Sequence, residues 1–100
     1  AVVIAFEGDV DLESSRQARE VLLECVGRKR ALLVDLSQVT YIDSSGVAAL
    51  VESFQSARKG GTTFALAAVS DATMRVLQLA RLDKVFTIFD CVEDGLAEAG

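Results

Sequence analysis

The sequence predicts an α/β domain in which a strand and a helix alternate four times. Three observations carry that expectation. Short apolar runs rich in Val, Leu and Ile lie at Val2–Phe6, Leu32–Leu36, Thr63–Val69 and Val85–Phe89, the length and composition of strands. Between them the period changes: Val47, Leu50, Val51, Phe54 and Ala57 recur at helical spacing, with Glu52, Ser53, Gln55, Ser56 and Arg58 on the other side, as in a helix with one apolar face. Gly8, Gly27 and Gly60-Gly61 punctuate these segments, and no Pro or internal repeat marks a linker. Strands separated by helices pair in parallel through right-handed crossovers. The expected order is therefore β-α-β-α-β-α-β-α, a mostly parallel sheet with helices packed against it.

In chain order, the first strand covers Val2 to Phe6, Gly8 ends it, and Asp9, Val10 and Asp11 form a turn. A helix runs from Leu12 or Ser15 to Val26, with Ala18, Val21, Leu22 and Cys25 on one face and Gly27 as its stop. Ser14 with Gln17 fits a capping box, and Asp11 is the alternative cap. The Leu32–Leu36 run, rich in Leu and Val and interrupted only by Asp35, suits a strand buried on both faces. Val47 to Lys59 is the second helix, ended by Gly60-Gly61. Ser70 or Asp71 caps a third helix over Ala72 to Ala80, and Val92 to Ala99 is a short last one.

One hundred residues, 51% of them hydrophobic, make a single domain spanning 1–100, long enough to bury roughly two-thirds of its unfolded surface. No apolar run reaches the ~18 residues of a membrane span. Ala1 stands inside an apolar run without a starting Met; the expectation is a trimmed N-terminus, with an additional antiparallel strand ahead of it. Fifteen acidic against ten basic residues give a net charge of −5, which repels phosphate backbones. The short Arg28-Lys29-Arg30 cluster reads as solvated charge complementing a helix C-terminus. Cys25 and Cys91 lie far apart, both on predicted apolar helix faces, and there is no His. Two sulfurs do not complete a zinc site, and a reducing, cytoplasmic compartment is the simplest expectation.

The residues with chemical potential gather at strand ends. Asp9, Asp11, Glu13 and Glu20 fall at calcium-loop spacing, but Ser14 stands where that loop needs Gly. Asp35 could serve as the acceptor of a phosphoryl-receiver domain, yet the first strand does not end in an adjacent acidic pair. No Gly-rich Lys-Ser/Thr loop is present to cradle phosphate. A hydrolase would need a base beside Ser44 or Ser45, and without His that base must be a carboxylate or Lys. Asp43-Ser44-Ser45-Gly46 sits between the apolar strand and the apolar helix. Asp and Ser are preferred N-caps, so the residues by themselves leave a helix cap and a functional loop both open.

The segment Asp-Leu-Ser-Gln-Val-Thr-Tyr-Ile-Asp-Ser-Ser-Gly-Val-Ala-Ala-Leu, residues 35–50, resembles the core signature of the STAS domain family, the anti-anti-sigma factors of bacteria. Gly8-Asp9-Val10-Asp11 is similar to that family's Gly-x-Leu-Asp turn, Gly60-Gly61 falls where its second helix ends, and Ser70 opens the third. The resemblance implies a single STAS domain and a non-enzymatic switch of the sporulation or stress-response type. The unmodified protein would bind an anti-sigma factor that is also a serine kinase, releasing the sigma factor. Phosphorylation at Ser44 would end the complex, and a serine phosphatase would reset it. Asp43 carries over as the neighbouring acid, Asp9 and Asp11 as part of a partner-facing rim, and Ser45 and Gly46 complete the motif without an assigned role. No cofactor, metal, direct nucleic-acid contact or membrane insertion is implied. The family also supplies soluble accessory subunits of membrane transporters and of larger signalling assemblies, the alternative reading. One departure is Arg81, ahead of Leu82, where relatives often carry Gly.

Overall fold

A computed structural model describes residues 2–99. The elements follow the order β1 (Val2–Val10), α1 (Ser15–Gly27), β2 (Leu32–Ile42), α2 (Ser44–Gly60), β3 (Phe64–Ala67), α3 (Asp71–Leu79), β4 (Thr87–Phe89) and α4 (Val92–Ala99). The four described strands form one sheet in the order β1-β2-β3-β4, each pair parallel. The expected alternation and parallel pairing are therefore present. The additional antiparallel strand expected ahead of Val2 lies outside the described residues.

Neighbouring strands joined in sequence by crossovers of one hand carry their helices on one face. Leu22 and Val26 of α1, Leu50 and Ala57 of α2 and Leu77 of α3 accordingly share one core with Leu32, Val34, Leu36 and Val39 of β2. α4 packs on the opposite face, where Leu33, Ala65 and Ala67 meet Phe89 and Val92. Leu32, Val34 and Leu36 thus meet one core and Leu33 the other, so this part of β2 is covered from both sides, as expected.

The boundaries differ from expectation at several ends, for physical reasons. The first strand continues past Phe6 to Val10, and Gly8 lies inside it at φ +75°, a conformation Gly adopts without the penalty of a side chain. Its partner β2 runs on to Ile42, with eleven residues against nine in β1. The register slips between Ala5 and Glu7 and again between Gly8 and Asp9. These are bulges, which absorb the extra residues and bend the strand. The sequence shows only where the apolar run stops, at Phe6. β3 and β4 are shorter than their apolar runs, and β3 ends where Ala68 turns to φ +52°. Cys91 stands in the turn before α4 and not on its face; its carbonyl accepts from Gly95 N–H. Cys25 packs half-buried against the main core.

The first helix corrects the capping-box expectation. Ser14 precedes α1 but makes no side-chain bond to the helix N–H groups. Its hydroxyl instead accepts from Asp11 N–H at 3.0 Å and donates to the Asp9 carbonyl at 2.9 Å. Asp11, the alternative, collects the N–H groups of Glu13 and Ser14 on Oδ1, each at 3.1 Å.

Candidate functional site

The C-terminal ends of β1 and β2 lie side by side, because parallel strands direct equivalent ends to one rim. Asp9 pairs with Tyr41 and Val10 with Ile42 in the register, and Asp43 N–H donates to the Val10 carbonyl at 3.2 Å. This juxtaposition brings Asp9 and Asp11 beside Asp43, Ser44, Ser45 and Gly46.

The helix start is built by Asp43. Its backbone is extended at φ −108° and ψ −174°, and its carboxylate accepts the N–H groups of Ser45 at 2.9 Å and Gly46 at 3.2 Å. Those donors have no partner within the helix, so the acid satisfies two of them and sets its charge at the positive end of the dipole. The open choice between cap and loop is thereby divided between neighbours. Asp43 is the cap, and Ser44, the first residue of α2, is left exposed to solvent.

Gly46 has a role that its spacing did not disclose. A Cβ there would stand 2.6 Å from the Val10 carbonyl oxygen, 2.7 Å from Ile42 Cγ1 and 2.9 Å from Val10 Cγ1. The absence of a side chain lets the first turn of α2 lie directly on the ends of β1 and β2, which fixes the height of Ser44 above the rim. Ser45 is half-buried.

The two acids of the first strand end do different things. The exposed Asp9 carboxylate accepts from the Thr40 hydroxyl at 3.1 Å, across the strand pair. The Asp11 carboxylate turns inward onto its own loop. The Ser14 backbone N–H, aided by the Ser14 hydroxyl and the Glu13 N–H, holds the Asp11 carboxyl below the usual aspartate range against a smaller opposing effect of burial. Asp9 and Asp11 therefore do not converge as a calcium loop would require. Among the described residues, no group of three or more His, Cys, Asp or Glu is arranged to hold a metal ion, and no helix is long and apolar enough to cross a membrane.

One feature beside Ser44 was not singled out from the sequence. An open groove of about 750 Å³ runs between α2 and α3, lined by Ser44, Val47, Val51, Glu52, Val76 and Leu79 among others. Leu79 is 82% exposed. Glu52 is held by Arg19 of α1 through two hydrogen bonds, at 2.5 and 2.8 Å, and that contact lowers the Glu52 carboxyl and raises the Arg19 guanidinium. The sequence shows only that Val76, Leu77 and Leu79 of α3 spread over more of a helix than one buried face requires; that α2 stands beside them is not in the spacing.

With this geometry described, comparison with known proteins decides the family. Residues 1–95 match the STAS domain. The chain belongs to the STAS domain family. The anti-sigma-B factor antagonist of Bacillus subtilis is 25% identical over 95 residues, covering 95% of this chain and 87% of that protein. The anti-sigma-B factor antagonist of Listeria monocytogenes is 28% identical over 82 residues, covering 81% of this chain and 72% of its own. In structure, an anti-sigma factor antagonist from Mycobacterium paratuberculosis superposes with a TM-score of 0.87 at 28% identity, over 97% of this chain and 83% of the other. The STAS resemblance of residues 35–50 and the α/β architecture expected from the alternation of strands and helices are both upheld.

Proposed function

We propose that this STAS domain is an anti-sigma factor antagonist switched by phosphorylation of Ser44. The observation that carries the reading is the division of labour at the start of α2: Asp43 caps the helix while the adjacent Ser44 hydroxyl faces solvent. Relatives that bear the name of antagonist span most of both chains, which supports the same reading. In its unmodified form the chain binds an anti-sigma factor that is also a serine kinase, and the sigma factor is released. The partner acts in the cytoplasm and the chain itself catalyses nothing.

The covalent step is simple. Ser44 Oγ takes the γ-phosphoryl group of ATP, its hydroxyl proton passes to a base of the kinase, and ADP leaves. A phosphatase reverses the modification by delivering water to phosphorus, returning the hydroxyl and inorganic phosphate. The modification adds about −1.5 to −2 charge and three strong acceptor oxygens. At the first turn of α2 it lies near the positive end of the helix dipole, where an anion is tolerated. The Ser45 and Gly46 N–H groups are already taken by Asp43, so the phosphate is not drawn down onto the backbone. It projects from the rim near Asp9, Asp11 and Asp43, and a docked partner meets it as repulsion and as a charge that must be desolvated.

The test is ATP-dependent labelling by the purified anti-sigma factor kinases of the source organism, followed by peptide mapping. A single phosphate on Ser44 is expected, with Ser44→Ala refractory yet still bound to the kinase. Ser44→Asp is expected to bind more weakly than wild type. Labelling of the Ser44→Ala chain to the wild-type extent, or equal affinity of the Ser44→Asp and unmodified chains, overturns the switch.

A further inference from the structure

We propose that the end of the domain opposite Ser44 docks reversibly on an anionic lipid bilayer, through cations gathered where the helices end. The parallel strands begin at one rim, with Val2, Leu32 and Phe64 in register, and each crossover helix runs back to that rim. Arg28, Lys29 and Arg30 follow α1, Arg58 and Lys59 close α2, and Arg81 and Lys84 follow α3. Seven of the ten Lys and Arg residues therefore share one end, and all seven are exposed. Among the described residues, three acids lie with them, Glu24, Asp83 and Glu98. Seven against three leaves a surplus of four positive charges on a chain whose net charge is −5. Asp9, Asp11, Asp43 and Asp90 lie at the other end, where the strands finish.

Helix dipoles do not account for this collection. They favour cations in the last helical turn, which describes Arg58 and Lys59 of α2 but no residue of α1 or α3. The loops after those two helices hold theirs under strain. Lys29 at φ +57° and Arg81 at φ +60° occupy the left-handed region, which is unfavourable for any residue with a Cβ. Strain kept at an exposed position points to a use for the side chain. Among the described residues, Arg28 alone of the seven is in an ion pair, with Glu24.

The spread of the cations selects the partner. They stand on three separate segments across one end of a molecule measuring 29 × 25 × 22 Å, an array too broad to converge on one small anion and suited to a surface of many. Leu79, 82% exposed, and Val85, 49% exposed, are aliphatic side chains of the same end. Aliphatic groups among cations fit a lipid headgroup layer, whereas a single-stranded nucleic acid would call for aromatic residues on which bases stack. The exposed aromatic residue Tyr41 lies toward the other end, paired with Asp9. An anionic bilayer attracts each nearby Lys or Arg by roughly five-fold in binding, over a Debye length of about 8 Å. The acids at the far end stand beyond that range, so the docked domain turns Ser44 and its rim away from the lipid.

Cosedimentation of the whole chain with vesicles tests this, using phosphatidylcholine alone or mixed in equal parts with phosphatidylglycerol. Runs in low and in physiological salt, runs without lipid, and melting curves accompany it. Wild type is expected to bind the mixed vesicles at on the order of millimolar lipid in low salt, to leave them as salt rises, and to ignore phosphatidylcholine. Lys29→Gly and Arg81→Gly should each weaken binding about five-fold, and the double variant about twenty-five-fold. Their Tm should equal or exceed that of wild type, because Gly relieves the strain, which separates a lost contact from a damaged fold. Arg75→Gln, which removes a cation from the middle of α3, should change binding by less than about two-fold. Equal binding to both lipid mixtures, no binding to the mixed vesicles in low salt, or wild-type binding by the double variant overturns the proposal. Self-association of wild type without lipid, lost in the double variant and seen in place of vesicle binding, overturns it too and gives the basic end to the acidic rim of a second copy.

Discussion

Gly46 and Asp43 show how much of the site rests on single residues. With a Cβ at position 46 only 2.6 Å from a backbone oxygen, the clash cannot be relieved by moving a side chain. Gly46→Ala must lift α2 from the strand ends. A loss of about 2–3 kcal/mol is expected, as in other overpacked sites, read from urea denaturation. A loss under ~0.5 kcal/mol would show that the helix start is not fixed by this contact. Asp11 offers a second test, in acid. Its carboxyl titrates below the usual range because the Ser14 N–H donates to the ionised form. A carboxyl whose folded pKa is depressed contributes stability above its unfolded value of about 3.9 and loses that contribution as pH falls through the folded value. Asp11→Asn, which carries no charge to lose, should have a shallower fall in stability below about pH 4 than wild type. Identical acid limbs in the two proteins would exclude this contribution.

At the scale of elements, the end of α3 answers the question raised by Arg81. Arg81 N–H donates to the Gln78 carbonyl at 3.0 Å and Leu82 N–H to the Leu77 carbonyl at 2.8 Å, the double closure that commonly ends helices. That closure needs a left-handed residue, and Arg81 occupies it at φ +60°. A non-glycine residue is strained there. The helix therefore ends as it would with Gly, at a cost in backbone strain. Arg81→Gly should stabilise the fold by about 0.5–1 kcal/mol, the relief of strain being partly offset by the greater freedom of Gly in the unfolded chain. A destabilised variant would mean that the Arg81 side chain makes a contribution larger than its strain. The end of α2 supplies the contrast: Gly61 takes the equivalent left-handed position at φ +75°, and it was recognisable in the sequence for that reason.

For the molecule as a whole, a surface switch requires that modification leave the fold alone. Ser44 is exposed and its helix start is held by Asp43, so phosphorylation carries the net charge from −5 to about −7 without breaking a contact. The phosphorylated and unmodified chains should share one far-UV circular dichroism spectrum and agree in unfolding free energy within about 0.5 kcal/mol. A loss of several times that amount would locate the switch in the fold instead of on its surface.

Apolar runs and periodicity decided the alternation of elements, because burial of an apolar face leaves the same imprint in every strand or helix that has one. The motif at residues 35–50 pointed to the family and to Ser44. What the sequence could not decide were features in which distant residues meet. The two bulges that carry β1 to Val10 depend on how eleven residues of β2 register against nine. The need for Gly46 depends on Val10 and Ile42 lying beneath it, and the groove at Ser44 on α3 standing beside α2. Each is a contact made across the chain, and local spacing carries no record of what will pack against it.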